Sequence, residues 1–154
     1  MSIRTGDQAV PFSLPAKPGE EVNVGEQIGS KPVVLLFFPL AYSPVCTDEM
    51  CQVRDNWEKW SALDAAVYGI SIDSPFVTDK FRSDFDIPFP ILSDFNKSVA
   101  GEYGALHEDL LGLKGVAKRA AFVIDSTGKV IYDWVSEDPK QLPDFDAIQA
   151  KVAG

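Results

Sequence analysis

One stretch constrains the rest of the chain: Val33-Val34-Leu35-Leu36-Phe37-Phe38, followed by Pro39, Pro44 and Cys46. Six consecutive apolar residues rich in β-branched and aromatic types read as a strand buried on both faces, at home inside a parallel or mixed sheet with helices over it. Pro39 has no N–H to give and ends the ladder. Past Cys46 the period changes. Met50, Val53, Trp57 and Trp60 recur at spacings of three and four, as on an amphipathic helix. A cysteine therefore sits where a buried strand hands over, through a proline-bounded loop, to the first turn of a helix. First-turn N–H groups have no intrahelical partner, and with the macrodipole they favour an anion, here a thiolate. The thiolate is the nucleophilic form. The plainer reading is a small buried hydrophobe, the commoner fate of a lone cysteine.

The remaining pattern supplies the other layers. Residues 9–14 and 21–24 suggest a peripheral hairpin, and residues 33–38 the central strand. Residues 46–63 read as the first long helix and 66–72 as a second buried strand. Asp73-Ser74-Pro75 then starts a helix over 76–85. Residues 87–94, broken by Pro88 and Pro90, form a loop leading to a short strand. A third helix over 96–103 ends at Gly104, and 105–116 is a glycine-bearing loop. The clearest hairpin joins 118–124 to 129–135 across Ser126-Thr127-Gly128. A helix over 143–150 closes the chain. The expectation is one α/β domain with a mixed central sheet flanked by helices, and 154 residues are enough for a real core.

Charge and motif content narrow the function. The net charge of −9 and the scattered basic residues argue against nucleic acid and anionic membranes. No apolar run approaches a membrane span, and the N-terminus lacks the apolar core of a signal peptide, so a cytoplasmic protein is expected. Two cysteines in such a chain are working thiols rather than a disulfide framework. With one histidine, His107, they cannot close a four-ligand zinc site. His107 falls in a loop and reads as a surface residue. There is no nucleotide, flavin or haem motif, so no cofactor is expected.

The spacing Pro39-x-x-x-Ser43-x-x-Cys46 resembles the peroxiredoxin active-site motif of proline, threonine or serine, and cysteine. Phe37-Phe38-Pro39-Leu40-Ala41 and Arg54-Asp55 strengthen the resemblance. So does Arg119 within Ala117-Lys118-Arg119-Ala120-Ala121-Phe122-Val123-Ile124-Asp125. The likeness runs from Gly6 to about Trp134. It is greatest to the alkyl hydroperoxide reductase E type, with the bacterioferritin-comigratory type as second candidate. It implies a thioredoxin-like fold with an N-terminal extension and a thiol-dependent reduction of hydrogen peroxide or organic hydroperoxides through a cysteine sulfenic acid. Cys46 would be the peroxidatic nucleophile. The Cys46 N–H, the Ser43 hydroxyl and the Arg119 guanidinium would supply donors to the peroxide, and Pro39 would shield the sulfur from water. Glu49, three residues after Cys46, would orient the arginine, and Arg54 would join that network.

Each residue has a plainer reading. Pro39 ends a strand, Ser43 caps a helix, Arg119 is a surface cation, and Glu49 is a first-turn acid favoured by the dipole. Trp57 and Trp60 pack the core. Cys51 matches the resolving cysteine of the comigratory type. Five helical residues separate Cα atoms by roughly 8–9 Å, beyond the reach of a disulfide without local unwinding. The other reading of Cys51 is a half-buried cysteine on a helix face, with an external thiol as reductant: thioredoxin, a glutaredoxin-like protein or a small thiol. The apolar loop Leu40-Ala41-Tyr42 and the E-type resemblance imply a homodimer, whereas resemblance to the comigratory type would imply a monomer. A non-catalytic redox sensor is the first competing function. A thiol–disulfide oxidoreductase is the second, and the absence of a Cys-x-x-Cys pair counts against it.

Overall fold

The computed structural model describes residues 2–154. A five-stranded sheet runs in the order β5-β4-β3-β6-β7. Its strands are β3 (Val33–Phe37), β4 (Ala66–Ser71), β5 (Ile91–Ser93), β6 (Arg119–Ile124) and β7 (Val130–Ser136). β3 lies at the centre, parallel to β4 and antiparallel to β6, and every residue of it is buried. That is the two-faced burial its apolar run requires. The N-terminal hairpin pairs β1 (Ser13–Lys17) with β2 (Glu20–Asn23) as a separate two-stranded sheet. Its first strand starts four residues later than the sequence pattern suggests.

The helices are α1 (Pro44–Asp55), α2 (Trp57–Ser61), α3 (Pro75–Asp84), α4 (Ser98–Glu102) and α5 (Phe145–Ala153). The single helix expected over 46–63 is two helices. It starts two residues early because Pro44, with its fixed φ, occupies the first helical position. It breaks at Asn56, which is non-helical at φ −110° and ψ 22°. The helix expected over 96–103 shrinks to one turn because Lys97 is left-handed at φ 66°.

Strand alternation divides the core in two. Val33, Leu35, Phe37, Phe122 and Ile124 face one side, against Tyr103. Val34, Leu36, Ala121 and Val123 face the other, against Cys46, Met50 and Val53 of α1 and Ile148 of α5. α1 sits low on this second face. A Cβ on Gly69 would meet Ile91 Cδ1 at 2.7 Å and Met50 Sδ at 3.2 Å, so glycine is what admits the helix. Trp60 is buried as expected, while Trp57 is half-buried and stacks on Phe89 at 5.5 Å.

Candidate active site

The register of β6 carries an arginine into the core. Phe37 at the end of β3 pairs with Ala120, so Arg119 extends one residue beyond the last β3 partner. Arg119 shares parity with Ala121 and Val123 and points to the face covered by α1. It is 1% exposed, which removes the surface-cation reading.

α1 brings the other partners. Ser43 is its N-cap residue, and its backbone carbonyl accepts the first helical bond, from Thr47 N at 2.9 Å. Cys46 lies in the first turn, 1% exposed. Glu49, one turn on, is fully buried rather than solvated. Arg119 Nη2 donates to Cys46 Sγ at 3.2 Å, and Nη1 donates to Glu49 Oε1 at 2.6 Å. Nε and Nη2 both donate to the carbonyl oxygen of Pro139, at 3.1 and 2.6 Å. Of the five N–H bonds of a guanidinium, four have partners in the fold. One Nη1–H has no partner among the described residues.

Burial pushes the Glu49 carboxyl up from 4.5 to about 7, against the pull of the Arg119 charge and hydrogen bond. Its Oε2 is buried without a hydrogen-bond partner among the described residues, which is why desolvation prevails. Burial also disfavours the Arg119 charge, but the charges of Glu49 and Cys46 more than offset it, and the arginine is held above its ordinary value. A positive charge therefore touches a sulfur that is itself almost fully buried.

Pro39 is buried at the end of β3 and, with Ser43, Cys46 and Arg119, lines a cleft of about 290 Å³. Ser43 Oγ donates to Leu40 O at 2.8 Å and makes no helix-capping bond. Its proton is committed, so its oxygen is available to the cleft as an acceptor. This changes the expected donor role, and the reason is the tight turn that brings the Leu40 carbonyl within reach.

Two expectations do not hold, those for Arg54 and for His107. Arg54 does not join the network: Nη1 donates to Phe85 O at 2.7 Å and Nε to Asp55 at 2.9 Å. Cys51 shares α1 with Cys46, and both are free thiols, Cys51 half-buried. Burial raises the Cys51 thiol, with Arg54 opposing. His107 is buried, 7% exposed, because the loop folds back through a bridge between Leu106 and Ala117. Burial lowers its pKa, which Glu137 partly restores.

The Pro139 carbonyl had no signal in the sequence as an anchor for Arg119. It is held by a turn in which Ser136 Oγ donates to Gln141 Oε1 at 2.7 Å and accepts from Asp138 N at 3.1 Å. The run Ser136-x-Asp138-Pro139 announces a turn, but not the direction of its carbonyl.

Comparison with known proteins places this geometry in company. Residues 5–133 match the AhpC/TSA family. The chain is similar to peroxiredoxin Bcp of Escherichia coli (34% identity, 95% of this chain and 93% of the relative). It is also similar to peroxiredoxin Bcp of Bacillus subtilis (31%, 87% and 86%). Among solved structures it superposes on peroxidoxin BcpB of Mycobacterium tuberculosis with a TM-score of 0.82 (34% identity, 98% and 94% covered). On a peroxiredoxin-like protein of Aquifex aeolicus the TM-score is 0.86 (28%, 99% and 87%). These names favour the bacterioferritin-comigratory type over the E type that the residues 37–40 suggested.

Proposed function

Because the chain belongs to the AhpC/TSA family and is a peroxiredoxin, a thiol-dependent peroxidase with the thioredoxin-like fold, we propose that Cys46 is the sulfur that attacks the peroxide. The observation that carries this assignment is the 3.2 Å hydrogen bond from the buried Arg119 to Cys46 Sγ. A charge-assisted donor at that distance holds the sulfur and the cation in one fixed geometry, where a peroxide can meet both.

The reaction needs little else. The Cys46 sulfur gives an electron pair to the terminal peroxide oxygen. The S–O bond forms as the O–O bond breaks, and the bonding pair leaves with the other oxygen. That oxygen takes a proton from water and departs as water or an alcohol. Sulfur is oxidised by two electrons to the sulfenic acid. Negative charge grows on the leaving oxygen, and preorganised donors count most where water is excluded. The unpaired Nη1–H of Arg119 and the first-turn N–H of Cys46 are those donors, while Ser43 Oγ accepts from the peroxide O–H. Glu49 and the Pro139 carbonyl position Arg119. Pro39 covers the sulfur.

The sulfenic acid returns to the thiol at the expense of a thiol reductant: thioredoxin, a glutaredoxin-like protein or a small thiol, with Cys51 as the intramolecular alternative. A cytoplasmic location agrees with two free cysteines, and no helix among the described residues is long and apolar enough to cross a membrane. A homodimer through the 40–42 loop completes the reading. Tyr42, Phe76 and Phe95 are 44%, 72% and 61% exposed and follow the same ends of the parallel strands β3, β4 and β5. Exposed aromatics gathered at one end favour a contact surface.

The test is peroxide consumption with a thiol donor. Cys46→Ser should abolish it, whereas Cys51→Ser should still form a sulfenic acid. Turnover by Cys46→Ser at the wild-type rate would remove the assignment.

A further inference from the structure

The cleft over Cys46 is larger and more apolar than hydrogen peroxide requires. Its volume is about 290 Å³, whereas on the same measure one water needs only about 10–15 Å³. Beyond Ser43, Cys46 and Arg119, the walls are mostly aliphatic or prolyl, and the outer wall is Leu110, Leu111 and Leu113. Those three belong to a two-residue hairpin, closed by Leu110 N to Leu113 O at 2.8 Å and Leu113 N to Leu110 O at 2.9 Å.

The tip of that hairpin breaks two rules at once. Leu111 has φ +55° and Gly112 φ +86°, the mirror-image turn that favours asparagine followed by glycine. A bulky side chain in the left-handed region is an outlier. Leu111 is also 94% exposed, so no packing within the folded chain offsets either the strain or the contact with water. The hairpin is anchored at its base: Asp109 Oδ1 accepts from Gly112 N at 2.8 Å, Lys97 Nζ donates to Lys114 O at 3.2 Å, and His107 N donates to Val116 O at 2.8 Å. The loop therefore presents this leucine at a fixed place, on the rim of the cleft that ends at the sulfur. Strain held at a site is reason to look for what it serves.

We propose that Leu111 is a specificity-determining residue of this enzyme, which selects hydroperoxides carrying an unbranched alkyl chain by covering that chain while the –OOH group lies between Cys46 and Arg119. This rests on the peroxidase reading of the same cleft. The chain leaves as the alcohol, and the bond changes at sulfur are those already given. Each buried methylene contributes about fourfold to binding, so the second-order rate constant should climb along a homologous series until the chain passes the hairpin. Leu111 offers one face to the chain, and losing it should lower the rate for long-chain substrates about fivefold relative to hydrogen peroxide.

Stopped-flow measurement of sulfenic acid formation with hydrogen peroxide and with ethyl, butyl and octyl hydroperoxides tests this. Leu111→Asn suits the turn better than leucine does, so folding is protected. Leu111→Met keeps an apolar side chain. The expected result is a wild-type rate constant that rises with chain length, an octyl-to-hydrogen-peroxide ratio about fivefold lower in Leu111→Asn, and a ratio close to wild type in Leu111→Met. A flat series in the wild type, or the same ratio in Leu111→Asn, overturns the role of Leu111 while peroxide reduction itself stands. A wild-type protein that reduces no peroxide at all overturns the peroxidase reading and the proposal with it.

Discussion

Glu49 should make the protein less stable as the pH rises. Its carboxyl is fully buried beside Arg119, and burial lifts it from 4.5 to about 7. Between those values the folded chain holds a proton that the unfolded chain has released. The stabilisation is therefore complete below about pH 4.5 and is lost as the pH rises through about 7. At about 1.36 kcal/mol per tenfold change in proton affinity, a rise from 4.5 to about 7 corresponds to about 3 kcal/mol. His107 works the other way. Its lowered pKa gives stability that is lost as the pH falls through its window below 6.5. The Glu49 contribution must accordingly be read as a difference against Glu49→Gln, which has the shape of the protonated acid and does not titrate. Urea unfolding of both proteins from pH 5 to pH 8 supplies the numbers. The two should be close at pH 5, and the variant should lead by about 3 kcal/mol at pH 8, with Arg119 keeping the Pro139 carbonyl and Cys46 Sγ as partners. A difference independent of pH, or a wild type that gains on the variant as the pH rises, would refute the reasoning that desolvation outweighs the ion pair here.

Arg119→Lys keeps a positive charge but cannot serve Glu49, Pro139 and Cys46 together, because lysine has no planar fork. Sulfenic acid formation followed by stopped-flow should slow at least tenfold, and an unchanged rate would remove Arg119 from the site. Peroxide without reductant, followed by peptide mapping, should give slow Cys46–Cys51 disulfide and, in excess peroxide, sulfinic acid on Cys46. A fast, quantitative disulfide would show that α1 opens freely. Sedimentation at high concentration should find a homodimer, and a monomer near 16.8 kDa would count against the exposed aromatics as its interface.

The central strand, its crossover to α1 and the antiparallel hairpin were legible because they are written in local periodicity. Val33 to Phe37 has no polar residue to turn toward water, and β6 and β7 flank a turn in which Asp125 Oδ1 accepts from Thr127 N at 2.9 Å. Cys46, Pro39, Ser43 and Arg119 were legible as types at spacings. That Arg119 is buried was not, because it follows from which residue of β6 pairs with the end of β3. The same holds for Glu49, whose burial depends on how close α1 comes to Gly69. His107 was misread because loop composition says surface, while the bridge between Leu106 and Ala117 is a long-range event. Arg54 was misplaced for the same kind of reason: its nearest carbonyl, Phe85 O, is 31 residues away in sequence.

The packing that makes Cys46 reactive also keeps Cys51 from it. Between the two cysteines lie Glu49, which positions Arg119, and Met50, which is fully buried against Gly69. Unwinding this turn releases a few helical hydrogen bonds, each worth about 0.5–1.5 kcal/mol net. It also withdraws Met50 from the core, at about 1.5–3 kcal/mol, so the whole step costs on the order of 5 kcal/mol. It brings two gains. Cys51 leaves the surroundings that hold it protonated, and the half-buried α1 end, already interrupted at Asn56, has only residues 52–55 of α1 left to rearrange. Oxidation of Cys46 biases the same step, because the added oxygen must displace the contact between Cys46 Sγ and Arg119 Nη2. If Cys51 resolves the sulfenic acid, that step dismantles the site that formed it. The rate of Cys46–Cys51 disulfide formation should then follow how readily Met50 leaves its place near Gly69 rather than the chemistry of the two sulfurs, so Met50→Ala should speed the disulfide seen by peptide mapping, and an unchanged rate would refute the coupling.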